Sequence, residues 1–409
     1  MATTNSDHLS RRAFLRASAV AAAAATTAGE AHAARQPIAG TVRVGLVGYG
    51  ARGREIAASI ADDSQIALTA IADIYTPHKE RAQNETRAKV LHDWQALVGR
   101  NDIDAIVVAT PDHLHASVAN AALSSGKHVL CEAPMCRTLD EARSMRDTTR
   151  DSSSTLSFHV SQVGAPAWAK AAELLHQGII GAPRWVQSAH LRAQVQGEPR
   201  VSSAAAVQPG ALDWAAFHGS APSMSFDAQR FANWRNFTDY SAGAPTQVLF
   251  ERLAPVIALL DLEHPERVSA AGGIYAKDGR QSPDSFVMNM EYAGGLKVVL
   301  STAMDRVANA PTVVRGESGS MHIGENEVSV VYDRQRDGRA SEVFAVESPA
   351  PMLTRWFDSI AGQSSALCDS ELAFKTMATL CMGIQAYEHR RTFAWDTTRD
   401  CPAIATLRA

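Results

Sequence analysis

Thr41-Val42-Arg43-Val44-Gly45-Leu46-Val47-Gly48-Tyr49-Gly50-Ala51-Arg52-Gly53 is the stretch that decides the fold. Its first seven residues form a short apolar run, the pattern of a buried strand. Residues Arg54 to Ile60 that follow read as a helix. Glycines in a GxGxxG pattern are a weak signal alone; between a strand and a helix they describe a phosphate-binding turn. Gly48 permits the tight turn, Gly50 lets the backbone approach a pyrophosphate, and Gly53 allows close helix–strand packing. The unpaired N–H groups at the helix start suit phosphate oxygens. A second strand, Ile66–Ala72, ends at Asp73, 20 residues beyond Gly53. An acid there accepts hydrogen bonds from a ribose and repels a 2′-phosphate, so NAD is expected. Arg52, close in sequence, keeps NADP open.

The alternation continues with a helix from Asp93 to Val98, a strand from Ile103 to Ala109, a helix from Ser117 to Ser125 and a strand from His128 to Cys131. Thr110-Pro111-Asp112-His113-Leu114-His115 falls at the C-terminal end of one strand and Glu132-Ala133-Pro134-Met135 at the end of the next. Ligands of open α/β sheets bind at such ends. His113 and His115 read either as part of a helix-capping turn or as site residues. Ser152 to Thr155 forms a polar joint, and the alternation stops after Phe158.

Beyond that point a helix is expected from Trp168 to His176, then strands at 184–192, 267–275, 285–292, 296–302 and 327–332. Short turns such as Tyr292-Ala293-Gly294-Gly295 point to a mostly antiparallel sheet. Helices return at Leu353–Ala361 and Glu371–His389, and residues 194–210 read as a loop bordering a cleft. The fold class is therefore α/β: a Rossmann dinucleotide-binding domain at 41–158, an α+β domain at 159–345 and C-terminal helices at 346–409.

Composition excludes other classes. Of 409 residues, 46% are hydrophobic and 20% charged, the balance of a globular chain. The net charge of −4 and 6% aromatic content give no footprint for nucleic acid. The five cysteines lack paired zinc spacing and read as buried small hydrophobes, with no metal site expected. The first 33 residues form an address: Arg11-Arg12, an alanine-rich run from Ala17 to Ala28, and Ala31-His32-Ala33 as a cleavage site. That run is too short and too weakly apolar to insert stably in a membrane. A periplasmic or secreted protein handled by the twin-arginine machinery is expected.

VGLVGYGARG, ATPDHLHA and GKHVLCEAPM occur in order, followed by Leu212-Asp213-Trp214, Phe226-Asp227, Arg230-Phe231, Asn233-Trp234-Arg235, Asp239-Tyr240-Ser241 and Ala271 to Tyr275. In these motifs the chain resembles the glucose–fructose oxidoreductase / inositol 2-dehydrogenase / rhizopine-catabolism (Gfo/Idh/MocA) family, from about Val42 onward. The resemblance implies hydride transfer between a nicotinamide cofactor and a sugar or polyol. It also implies a homo-oligomer formed through the second domain's sheet. The cofactor residues it implies are Gly48, Tyr49, Gly50, Arg52, Gly53, Asp73, Thr110, Pro111, His115, Glu132, Trp234 and Arg235.

At the catalytic positions the chain departs from the family. Where the family has a lysine between glutamate and proline, this chain has Ala133, which carries no proton. Where the family has an aspartate and, four residues on, a histidine, it has Gln247 and Glu251. That spacing places both on one helix face. Gln247 does not titrate; Glu251 can act as a base if its pKa rises. Two alternatives to dehydrogenation stay open: dinucleotide binding without turnover, and NAD-dependent redox-neutral chemistry such as glycoside cleavage.

Overall fold

A computed structural model describes residues 40–191, 207–222, 224–303, 311–333, 338–364 and 367–405. The expected export segment, 1–33, and residues 194–206 of the expected cleft loop lie outside the described residues.

The first sheet grows from the glycine-rich turn. Its elements run β1 (Val42–Val47), α1 (Ala51–Ala61), β2 (Ile66–Ala72), α2 (Thr76–Glu85), β3 (Lys89–Leu91), α3 (Trp94–Val98), β4 (Ala105–Val108), α4 (Asp112–Ser124), β5 (His128–Glu132), α5 (Leu139–Arg150) and β6 (Leu156–His159). The strands pair in parallel in the order β3-β2-β1-β4-β5-β6. Every residue of β4 is buried, as expected for a strand covered on both faces. The order reverses between β1 and β4, which opens a crevice above their C-terminal ends.

Two local readings change. The helix expected from Ser117 starts earlier: α4 begins at Asp112, so His113 and His115 lie in its first turn. An acid there suits the helix dipole, and the His113 N–H donates to the Tyr240 carbonyl at 3.2 Å. The polar joint Ser152–Thr155 does not separate sheets but connects α5 to β6, tied by a 2.8 Å bond between Thr155 and His128.

The second sheet contains β7 (Pro183–Leu191), β8 (Arg267–Gly273), β9 (Ser285–Glu291), β10 (Lys297–Ala303), β11 (Thr312–Gly316), β12 (Gly319–Ile323), β13 (Glu327–Tyr332) and β14 (Glu342–Ala345). A two-residue strand, β15 (Cys368–Asp369), pairs with β6 in the first sheet, and β16 (Phe393–Asp396) and β17 (Cys401–Ile404) return to the second. The order is β14-β13-β12-β11-β7-β10-β9-β8-β16-β17. It is antiparallel except for the central pair β7 and β10, which run parallel. Phe286, Met288 and Met290 of β9 alternate inward with Val298 and Leu300 of β10, the period-two pattern of a half-buried strand. Strands β11, β12, β14, β16 and β17 escape the sequence reading. Runs of four or five residues with glycine or charge inside them carry too little alternation; their neighbours in the sheet fix them.

Helices α6 (Pro166–His176), α7 (Trp214–His218), α8 (Ala228–Ala232), α9 (Ala244–Gln247), α10 (Phe250–Leu260), α11 (Met352–Ile360) and α12 (Ser370–His389) complete the described elements used below. α12 packs on α5 of the first sheet and on β8 of the second. Arg146 of α5 lies 3.9 Å over the Phe374 ring at that seam. One apolar core therefore runs from Val108 and Phe158 to Met288 and Leu300. Trp356, Phe357 and Ile360 of α11 join a second cluster with Leu46, Ile56 and Ile60.

Candidate active site

The turn after β1 is shaped by contacts only glycine tolerates. Gly48 has φ +95°, and a Cβ there would lie 2.5 Å from the Ala109 carbonyl oxygen. A Cβ on Gly53 would lie 2.0 Å from the Gly48 carbonyl oxygen, so α1 starts pressed against the turn. Gly50, the α1 N-cap, differs: the nearest atom to its Cβ would be His78 Cε1 at 3.8 Å. Nothing in the protein itself demands glycine at 50, and the space over its backbone is open to a group lying on it. The 11-residue helix begins there without a side-chain cap, leaving N–H groups for phosphate oxygens.

Asp73 sits at the end of β2, buried, with both oxygens engaged. Oδ2 accepts from the Tyr49 N–H at 2.7 Å and Oδ1 from the Tyr75 N–H at 2.8 Å. His78 Nδ1 lies 3.2 Å from Oδ2. These bonds aim the carboxylate and leave lone pairs for a ribose. Tyr49 is buried, and its hydroxyl donates to Glu85 at 3.0 Å.

Arg52 turns away from Asp73. Its Nε lies 3.0 Å from Glu132 Oε2 at the end of β5, and a terminal nitrogen lies 3.0 Å from His159 Nε2 at the end of β6. Another nitrogen meets Glu55 at 2.9 Å. Arg52 therefore does not prepare a 2′-phosphate site beside Asp73. Between these points lie Thr110 and Pro111. The Thr110 hydroxyl and Glu132 Oε1 are buried without hydrogen-bond partners among the described residues. Orphaned polar atoms at strand ends, with an open face over Gly50, fit a dinucleotide. His115 instead faces backbone: its ring nitrogens lie 3.0 Å from the Pro134 carbonyl and 2.9 Å from that of Thr110. His113 is buried with Nε2 at 2.7 Å from the Phe217 carbonyl, and burial lowers its pKa to about 4. The Ala133 methyl packs against the large core.

The segment from Val207 to Gln247 lies along the C-terminal edge of the first sheet. Tyr75 forms a bridge to Leu212, and Tyr75, Leu212, Phe217 and Tyr240 share an apolar cluster. Trp234 and Arg235 fall in a 3-10 turn, with the guanidinium 4.3 Å over the indole ring. Ser241 donates to the buried Asp112 at 2.6 Å and accepts from Gln247 at 3.3 Å. Burial raises the Asp112 carboxyl pKa, opposed by His115 and the Ser241 hydrogen bond.

Gln247 ends α9 and Glu251 lies in the first turn of α10, joined by Val248 and Leu249, which both keep right-handed helical dihedrals. Gln247 turns to Ser241, while Glu251 falls within the fields of Glu132 and Arg52. Glu251 is reached by solvent, yet protein surrounds it on most sides, as in a cleft wall. That confinement, with the like charge of Glu132, raises its carboxyl from 4.5 to about 7.

The structure thus gathers two groups of the expected residues. Gly48, Tyr49, Gly50, Gly53 and Asp73 form one half of the crevice; Arg52, Thr110, Glu132 and Glu251 converge on the other. Asp112, Ser241 and His159 were not singled out from sequence. Asp112 lies inside the quoted TPDHLH motif and Ser241 inside Asp-Tyr-Ser, so both were within reach; nothing local marks His159.

Residues 42–160 match the family described as "Oxidoreductase family, NAD-binding Rossmann fold". Levoglucosan dehydrogenase of Pseudarthrobacter phenanthrenivorans is 37% identical over 86 residues, 21% of this chain and 22% of that protein. A glycosyl hydrolase family 109 protein of Solibacter usitatus is 33% identical over 122 residues, 27% of this chain and 28% of that protein. These matches span under a third of either relative. The WlbA dehydrogenase of Bordetella pertussis, solved with NADH and UDP-GlcNAcA, superposes with a TM-score of 0.68 at 17% identity, covering 90% of this chain and all of that one. At that identity the likeness shows the fold, first sheet and second together.

Asp112 offers a test of the link between α4 and Ser241. Its raised pKa means the folded state prefers the protonated carboxyl, so ionisation costs stability as pH rises above the ordinary carboxyl range. Asp112→Asn should be as stable as wild type near pH 4 and more stable at pH 7, by about 1–3 kcal/mol in urea unfolding. A clear loss at pH 7 would mean the charged carboxylate is needed.

Proposed function

Because the chain belongs, through residues 42–160, to the Gfo/Idh/MocA family of oxidoreductases with an NAD-binding Rossmann fold, we propose that it oxidises a sugar or polyol hydroxyl. The observation that carries this reading is Glu251, a solvent-reached carboxylate raised to about 7 and facing the strand ends. Bound NAD supplies the hydride acceptor. The turn from Gly48 to Gly53 and the start of α1 hold the pyrophosphate, and Asp73 accepts from the adenosine ribose. Glu251 takes the hydroxyl proton, the task left open by Ala133 and Gln247. The departure of Arg52 from Asp73 supports NAD over NADP. Sugar chemistry is supported by the likeness to levoglucosan dehydrogenase.

A second reading rests on the family 109 glycosyl hydrolase likeness: glycoside cleavage without net cofactor reduction. A sugar and polyol panel with NAD, read at the reduced-nicotinamide absorbance and by product chromatography, separates the two. Net reduction is expected, with a rate that climbs as pH rises through about 7, because Glu251 must be ionised to accept a proton. Glu251→Gln should lower it about 10²–10⁴-fold. Full activity in that variant would remove Glu251 as base. Cleaved product without reduction favours the second reading.

We further propose a homo-oligomer through the outer face of the second sheet. Trp185, Val331 and Val343 stand exposed on that face, opposite the buried Val186, Val314 and Val330. Light scattering should give a multiple of the chain mass, reduced to one by Trp185→Arg with Val331→Arg; a monomeric wild type would end this reading. For export, we propose cleavage after Ala33, read as a periplasmic chain whose N-terminus is Ala34. Retention of the full chain in the cytoplasm would contradict it.

A further inference from the structure

Arg52 is placed differently from the other groups of the glycine-rich turn. It belongs to the first turn of α1, yet its guanidinium passes β4 and reaches the ends of β5 and β6. Its three nitrogens each have a partner: Nε with Glu132 Oε2 at 3.0 Å, one terminal nitrogen with His159 Nε2 at 3.0 Å, the other with Glu55 at 2.9 Å. His159 Nδ1 lies 3.9 Å from Glu132 Oε1, so the three side chains gather in a ring that stays open on the Oε1 side. Burial lowers the His159 pKa below its ordinary value, which keeps the ring neutral and able to accept from the guanidinium. Glu132 Oε1 is buried and has no hydrogen-bond partner among the described residues.

Topology says which part of a dinucleotide meets this ring. With the pyrophosphate at the glycine turn and the adenosine ribose at Asp73 on β2, the other half must cross β4 toward β5 and β6. That is the side on which Arg52 lies. It is also where Ala133, next to Glu132, carries no cationic side chain.

We propose that Arg52 binds the nicotinamide half of the cofactor, positioned by Glu132 and His159, and carries into that half-site the positive charge missing at Ala133. This rests on the dinucleotide reading above, though not on any sugar or on turnover. A guanidinium does not lose its proton at working pH. It therefore replaces the charge of a lysine without replacing its proton transfer, which falls to another group. Glu132 and Glu55 pair with that charge, so the guanidinium acts on the cofactor chiefly as a hydrogen-bond donor.

The test is calorimetric titration of the purified protein, freed of any retained dinucleotide, with NADH, NAD and ADP-ribose. ADP-ribose shares the adenosine and pyrophosphate but lacks the nicotinamide. Arg52→Gln should weaken NADH about ten- to a hundredfold, the scale of a lost charged hydrogen bond, and ADP-ribose less than threefold. Arg52→Lys, which keeps a donor and its charge but loses the planar fork, should recover part of the NADH affinity. Should Arg52→Gln fail to fold, His159→Asn, which frees the guanidinium from one of its holders, should weaken NADH several-fold and leave ADP-ribose unchanged. Equal losses for NADH and ADP-ribose would place the charge at the pyrophosphate and overturn the proposal, as would no loss at all. Wild-type protein that binds none of the three would sink the dinucleotide reading itself. Dinucleotide binding with no sugar oxidation would leave this inference standing and remove only the reaction.

Discussion

The site depends on how closely α1 approaches the strand before it. A Cβ on Gly53 would sit 2.0 Å from the Gly48 carbonyl oxygen, a distance no side chain tolerates. With glycine at both positions, α1 starts directly behind β1, and its free N–H groups face the crevice where the strand order reverses. The same closeness sets the origin of the Arg52 side chain, two residues beyond Gly50. From there a side chain of arginine length spans β4 and meets β5 and β6. A turn held further from the sheet would place neither the helix terminus nor the guanidinium at the strand ends.

Charge in this crevice is arranged by environment more than by residue type. Asp73 is buried and accepts two backbone N–H bonds. Asp112 is buried among Ser241, Gln247 and the first turn of α4, where burial favours the neutral acid. Glu251 meets solvent in a confined wall beside the charge of Glu132, which brings its pKa to about 7. Three carboxyls thus meet three environments: one held by backbone N–H groups, one buried beside a hydroxyl, and one reached by solvent near a like charge. Such separation of environments is how one fold holds acids and bases at a single pH.

The first sheet was legible because its signals are local and reinforce one another. Strand, glycines, helix and acid occur at set intervals, and Ile66–Ala72 is found with the expected bounds. The second sheet was legible only where strands alternate over six or seven residues, as in Ser285–Glu291. Gly319–Ile323 pairs with its chain neighbours on both sides but alternates too little to be read, and Phe393–Asp396 meets Val268, distant in sequence, which spacing does not reveal. The site divides in the same way. The glycine turn and Asp73 are written in one motif. His159 meets Arg52 across 107 residues, and no local pattern announces that contact.

The partners of Gln247 and Glu251 separate what the two residues do. Gln247 donates to Ser241, which holds Asp112, and so belongs to the contact that ties Val207–Gln247 to α4. Glu251 alone faces Glu132 and Arg52. The three departures from the family pattern are then unequal in kind. One leaves a methyl in the core, one takes a structural hydrogen bond, and one keeps an ionisable group in the cleft. Of the three substituted positions only that last one carries an ionisable group, and it lies in the fields of Glu132 and Arg52.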